Sequence, residues 1–260
     1  LPFWNRMLIS IGIRDVNSIN AYFGLTLVNV FFGKNYLLKG GIQQLVDKLS
    51  EKILFFGGKI ILNANCKVLE KNGNKFRIKF EKQGVKKEKQ FNKIISAVKP
   101  KDLTNICNFD NLRLLQKVDG HPMALYVIRS NRKLWSKTWG LIISEESSPI
   151  YALCDWKNIN LITEDKLFLA ICSPNASADE IINGLMSLFP KINSQYEIIF
   201  EKKWEIGLHQ PNPDFFKTRE EVLKKIPKDF YLAGDWMILP ALEGAVLSGM
   251  KAARQLIEEL

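Results

Sequence analysis

The residues best suited to chemistry lie at the end of the chain, in Tyr231-Leu-Ala-Gly-Asp-Trp236 and, after a short gap, in Leu242-Glu-Gly-Ala-Val-Leu-Ser-Gly249. The first run reads as a strand that ends on a glycine and a carboxylate, Gly234 and Asp235. The second reads as the opening of a helix rich in small residues. A helix opening presents amides without acceptors of their own, together with the positive end of a dipole. An ionised carboxylate beside it is a strong hydrogen-bond acceptor. The pair suits a ligand that carries both hydroxyls and negative charge. Glu243 stands in the first helical turn, where the dipole alone favours a carboxylate, so its presence requires no catalytic role.

Other constellations offer less. His121 and His209 are the two histidines and lie far apart, which gives a metal site or a histidine-based triad little to build on. Cys66, Cys107, Cys154 and Cys172 form no CxxC pair, and each lies in or beside an apolar segment. They read as reduced thiols rather than a disulfide frame or a zinc site, and no metal is expected. Trp204 and Trp236 are read first as aromatic core and otherwise as stacking partners of a ligand or substrate.

The elements that must position these residues follow from periodicity. The 260 residues suffice for one large domain or two interleaved ones, and 47% hydrophobic with 25% charged residues is a globular composition. Residues 1–38 carry Phe3, Trp4, Tyr22, Phe23, Phe31, Phe32 and Tyr36. They are expected to form one or two strongly buried helices, read first as plain core and otherwise as one wall of a substrate cavity. After Gly40-Gly41, the residues Ile42, Leu45, Val46, Leu49 and Ile53 fall at helical spacing, and Gly57-Gly58 stops that helix. Strands are expected at 59–63 and 66–70. A turn at Asn72-Gly73-Asn74 precedes an alternating strand through Phe76, Ile78 and Phe80, with 85–91 pairing back and a short strand at 93–98 before Pro100.

Residues 121–206 read as mainly β, with strands at 124–129, 140–144, 150–155, 167–172 and 197–206. One helix, 178–189, interrupts them behind Ser177, with Glu180 at capping-box spacing. Pro211, Pro213 and Pro227 mark an irregular crossing. The last strand is 230–233 and the last helix 243–259.

Gly40-Gly41 with its helix, Gly58-Lys-Ile-Ile-Leu-Asn63, Ile94-Ile-Ser-Ala-Val98 before Pro100, and the terminal motif stand in one order across nearly the whole chain. That order resembles the FAD-dependent amine oxidase and carotenoid (phytoene) desaturase superfamily. The resemblance implies an α/β (α+β) fold in which an FAD-binding portion is interleaved with a mixed-sheet substrate domain, the N-terminal Rossmann half being absent. Leu1 reads as a cut edge. In this scheme 1–39 is a helical part of the substrate domain, 40–100 part of the FAD-binding domain, 101–228 the mixed-sheet substrate domain, and 229–260 the closing strand and helix.

The resemblance also implies FAD as cofactor, with Gly234, Asp235, Glu243, Gly244, Ala245, Cys66, Ala97 and Val98 as its binding residues. Asp235 would accept from hydroxyls of the ribityl or pyrophosphate side, and Gly234 would let the backbone come close. The amides of Glu243, Gly244 and Ala245 would face the pyrimidine edge of the flavin. Cys66 stands where the family usually has Val against the adenine, and Ala97 and Val98 fall on the adenosine half.

The implied reaction is hydride removal from an apolar, isoprenoid-type substrate, and no catalytic base can be named. Leu125 aligns roughly with a lysine that the amine oxidases hold near the flavin, and 120–130 contains no lysine. The closing motif reads Gly-Asp rather than Gly-Thr-Glu. Both departures favour desaturation over amine oxidation. Two alternatives stay open: a flavin amine oxidase that uses another lysine, and a non-catalytic lipid- or membrane-associated module without FAD, since neither Gly40-Gly41 nor Gly57-Gly58 gives GxGxxG.

The net charge of +10 comes largely from scattered lysines without a nucleic-acid motif, so the expected partner is an apolar small molecule and not nucleic acid. No segment is long enough to span a bilayer, Ala21–Gly33 included. The expected location is the cytoplasm, with peripheral attachment to an anionic membrane left open. The 260 residues alone are expected to be inactive and poorly soluble, because apolar surface on the final strand and helix would lack a cover.

Overall fold

The computed structural model describes residues 2–14, 16–32, 38–107, 109–135, 138, 140–155, 167–192 and 195–259. In chain order its elements are α1 (Pro2–Ser10), α2 (Ala21–Phe32), α3 (Gln43–Phe55), β1 (Ala64–Asn72), β2 (Lys75–Lys82), β3 (Val85–Phe91), β4 (Ile94–Ser96), α4 (Pro100–Ile106), β5 (Gly120–Ser130), β6 (Gly140–Ile142), β7 (Ile150–Asp155), β8 (Leu167–Cys172), α5 (Ala178–Leu188), β9 (Tyr196–His209), α6 (Phe215–Leu223), β10 (Phe230–Leu232) and α7 (Leu242–Glu258). The fold is α/β with several sheets. The chain crosses repeatedly between two units, one of Leu1–Ile19, Gly24–Lys48 and Gly120–Gln210, the other of Asn20–Phe23, Leu49–Asp119 and Pro211–Leu260.

The first unit is built on a five-stranded sheet of order β6-β7-β8-β5-β9, in which every ladder is antiparallel. Period-two alternation sends Ala124, Tyr126 and Ile128 to one face with Ile150, Leu153, Phe168, Ala170 and Cys172. Ile181 and Leu185 of α5 complete that core. The helix starts at a full capping box: the Glu180 amide donates to the Ser177 hydroxyl at 3.3 Å, and the Ser177 amide donates to the Glu180 carboxylate at 2.8 Å. These bonds hold the Glu180 carboxyl below its ordinary value. β5 and β9 run longer than their apolar patterns because they pair along their whole length, from Gly120↔His209 to Ser130↔Tyr196. On the other face α1 packs against β7 and β6. Gln210 ties down the turn after α1, donating to the Gly12 carbonyl at 2.8 Å and accepting from the Arg14 amide at 2.9 Å.

The second unit has an antiparallel sheet, β1-β2-β3, and a separate parallel pair, β10-β4. Its core gathers Leu69, Phe76, Ile94, Leu103, Leu112, Leu115, Val222, Phe230 and Leu232. Phe23 is also fully buried, edge-on to Phe215 at 5.0 Å and stacked on Phe216 at 5.6 Å.

Several expectations are corrected. Trp4 and Tyr22 are 39% and 61% exposed, so the aromatic N-terminal region is less buried than its composition implies. The side chains of Phe3, Phe31 and Phe32, and all of Tyr36, lie outside the described residues. The proline-flanked crossing contains α6, whose Phe215 and Val222, two helical turns apart, are both buried; the prolines bound that helix without entering it. Pro100 opens α4 rather than merely stopping a strand. Residues 59–62 form no strand: Ile60, Ile61 and Leu62 are exposed, Leu62 by 69%, because no described strand pairs with them.

The expected helix α3 does form. Gly57, at φ +79°, and the Gly58 amide donating to the Ile53 carbonyl at 2.8 Å close it. None of its residues is buried, and the stripe Ile42, Val46, Leu49 and Ile53 is exposed. Among the described residues no helix is long and apolar enough to cross a membrane.

Candidate functional site

The site grows from the pairing of β4 with β10. These strands run parallel, with Ile94 opposite Phe230, Ile95 opposite Tyr231 and Ser96 opposite Leu232. The Ala233 amide extends the ladder, donating to the Ser96 carbonyl at 2.9 Å. Both strands therefore release their chains at one end, Ala97-Val98 from one and Gly234-Asp235 from the other. In open parallel sheets the ligand crevice lies outside such carboxyl ends.

Gly234 has φ +139°, a conformation that side-chain-bearing residues rarely adopt. A Cβ there would stand 2.6 Å from the Trp236 indole nitrogen. The Asp235 carboxylate accepts from the Trp236 amide at 2.9 Å, which orients it.

α7 presents its opening to the same place. Its buried stripe is Gly244, Ser248 and Ala252, with Ala252 packed on Tyr231 and Ala233 of the β10 segment. A Cβ on Gly244 would collide with the Leu239 carbonyl, so only glycine lets the helix start come this close. Ser248 links helix to strand: its Oγ accepts the Gly234 amide at 2.9 Å and donates to the Ala245 carbonyl at 2.9 Å. Ala241 precedes the helix without a side-chain cap, and the Ala245 amide already serves the Ala241 carbonyl at 3.1 Å. Among the described residues no acceptor meets the amides of Leu242, Glu243 and Gly244, which are the open donors of the first turn. At the far end, Lys93 donates to the Glu259 carbonyl at 2.9 Å and pairs with Asp229 at 3.1 Å, a cation where the helix dipole favours one.

The structure brings Gly234, Asp235, Gly244 and Ala245 together, with Glu243 exposed on the rim and Ala97 and Val98 at the neighbouring strand end. Cys66 stands in β1, opposite Phe80, with its thiol 3.8 Å from the Val68 carbonyl. Burial pushes its thiol up, and pushes Cys107 to about 12 and Cys154 to about 11, so these thiols stay protonated at neutral pH. Leu125 lies in β5 between Ile171 of β8 and Lys202 of β9. Ser248 is the residue that sequence reasoning passed over. It counts there as one more small residue, yet it is the one hydroxyl on the i, i+4, i+8 stripe, and that position is the signal.

A model of flavin-containing amine oxidoreductases matches residues 8–257. The chain belongs to the flavin-containing amine oxidoreductase family. No curated protein sequence matches it. Among solved structures, a CLA-producing fatty acid isomerase from P. acnes is similar with a TM-score of 0.75 at 12% identity, over 97% of this chain and 62% of that one. Cyclohexylamine oxidase from Brevibacterium oxydans IH-35A is similar with a TM-score of 0.72 at 14% identity, over 99% and 64%. A reduced UDP-galactopyranose mutase has a TM-score of 0.61 at 12% identity, over 81% and 52%. These likenesses concern the fold. The chain spans less than two thirds of the length of each of these proteins.

FAD is the cofactor of this flavin-containing family, and the residues present fit it. The donor set is three open amides and the acceptor is a carboxylate, matched to a molecule with anionic and hydroxylated parts. Gly249, on α7 past Ser248, has open space within 4 Å of where its Cβ would be, so the helix carries a bare patch of backbone.

Proposed function

We propose that these residues supply the closing side of an FAD site and the substrate-binding portion of an FAD-dependent oxidoreductase that removes hydride from an apolar substrate, with isoprenoids the first class to test. FAD, when bound, supplies the two-electron acceptor. In this reading Asp235 accepts from flavin-side hydroxyls, and the α7 amides stabilise negative charge that grows on the reduced ring. Gly234 and Gly244 keep that surface free of side chains, and Ala97, Val98 and Cys66 serve the adenosine side. The half-buried sheet of the first unit binds the substrate body and excludes water. A peripheral position at an anionic membrane, supported by the net charge of +10, would deliver an apolar substrate.

The observation that carries the reading is the joint exit of β4 and β10 beside the uncapped start of α7. The test is made on the longest natural chain containing these residues. It should copurify with, or take up, FAD with a flavin absorbance band, and an apolar polyene precursor should bleach that band without oxygen. Failure to retain any flavin at saturating FAD overturns the proposal.

A further inference from the structure

The substrate-binding part of that reading can be taken further, because the second face of the five-stranded sheet is chemically uneven. Alternation along β9 places Glu201 and Lys203 on the α5 side. There the Tyr126 hydroxyl lies 3.3 Å from Glu201, Lys203 pairs with Glu201 at 3.1 Å, and Lys203 donates to the Ala176 carbonyl at 3.3 Å. Lys202 must then project from the opposite face. Its neighbours on that face are Phe200 and Trp204 on its own strand, Leu125 directly across the ladder, Met123 and Val127 on either side of Leu125, and Leu169 and Ile171 one strand further. Val127 is buried, Leu125, Leu169, Ile171 and Trp204 are half-buried and Phe200 is exposed, so this stretch of sheet is apolar and partly open. The other cation in these rows, Arg129, is neutralised by Glu197 at 2.8 Å. Lys202 has no ion pair or hydrogen bond among the described residues.

We infer that this face binds a single apolar molecule with an anionic carboxylate head, the head paired with Lys202 and the hydrocarbon body lying across Leu125, Ile171 and Leu169. From β9 across β5 to β8 is two strand spacings, about 10 Å, before α1 covers β7, enough for the first eight or so carbons of a hydrocarbon chain. The exposed Lys202 ammonium beside this apolar stretch can take a carboxylate in a charge-assisted bond while the body of the same molecule covers the apolar side chains. The same ammonium repels a protonated alkylamine, so this face disfavours amine substrates. The inference deepens the proposed oxidoreductase function by giving the substrate an acidic end.

The probes are dodecanoate, dodecan-1-ol and dodecylammonium, each below micelle-forming concentration, with binding read from tryptophan fluorescence without added FAD. The wild type should bind dodecanoate more tightly than the alcohol. Lys202→Met should weaken dodecanoate about tenfold or more and leave the alcohol unchanged; Lys202→Arg should keep the acid preference; Lys202→Glu should shift preference to dodecylammonium. Lys86→Met, on exposed β3, controls for net charge. Equal dodecanoate binding by wild type and Lys202→Met overturns the inference and leaves Lys202 as a charge that guards an edge strand. So does a Lys202→Met effect confined to phosphatidylserine vesicles, which would make the face a membrane contact. Because the assay needs no flavin, head-group discrimination in a protein that never takes up FAD would sink the oxidoreductase reading and spare this one.

Discussion

The hydroxyl of Ser248 sits 2.9 Å from the amide nitrogen of Gly234 and gives its own proton to the carbonyl of Ala245, also 2.9 Å away. One buried side chain thereby fixes the exit of β10 against the second turn of α7 and sets the spacing between the Asp235 carboxylate and the open helix amides. Ser248→Ala removes the oxygen that accepts the Gly234 amide. It should cost about 1 kcal/mol in urea unfolding, the low end for an unpaired donor because this bond is only partly buried, and should weaken FAD binding. Unchanged unfolding would show that the clamp is not formed.

Gly244→Ala separates two opposed effects. Helix propensity alone predicts a gain of about 1 kcal/mol. The new methyl, however, points into the Leu239 carbonyl. The expected net result is destabilisation of about 1–3 kcal/mol and loss of FAD binding, because a backbone carbonyl cannot step aside as a flexible side chain can. A more stable variant would mean that the 239–241 turn is free to move.

Asp235→Asn keeps an oxygen for the Trp236 amide but removes the charge. Thermal stability should stay close to that of the wild type while FAD affinity falls about tenfold, the difference between charged and neutral acceptors. An affinity loss accompanied by an equal loss of stability would assign Asp235 to folding rather than to the cofactor.

The buried thiols predict an alkaline limit. Burial raises Cys107 from 9.0 to about 12 and Cys154 from 9.0 to about 11. Between pH 9 and 11 the unfolded chain loses these protons while the folded chain keeps them, so the unfolded state binds fewer protons and stability falls as pH rises. Denaturation midpoints across pH 8–11 should decline less steeply in a Cys107→Ala/Cys154→Ala variant. Parallel slopes would show that the thiols ionise alike in both states.

The stripe on α3 is exposed, and none of the helix's residues is buried. Leu49→Lys with Ile53→Lys should therefore raise solubility and reduce dye binding to apolar surface, with little change in melting temperature. A large fall in melting temperature would show that the stripe is covered in solution.

The sequence alone determined what depends on near neighbours. The runs Ile150–Asp155 and Leu167–Cys172 announce themselves as strands by composition. α5 follows from Ser177 and Glu180, and α3 from its apolar spacing and its closing glycines. The residue types at 234, 235 and 244 likewise name a crevice for a hydroxylated anion before any fold is known. Tertiary structure decided everything that needs a distant partner. Ile60, Ile61 and Leu62 have the composition of a strand but no strand to pair with among the described residues, and α6 forms between prolines because Phe215 and Val222 find a core to enter. The parallel register of Ile94 with Phe230 places Ala97 and Val98 beside Gly234, although 136 positions separate Ile94 from Phe230. The register of Leu125 with Lys202 puts that ammonium on the open face, and a slip of one residue would turn it towards α5. Local patterns fix what a segment can become, because dihedral preferences and periodicity act over a few residues. Pairing, burial and the meeting of charges act between segments, so they exist only once the chain has closed on itself.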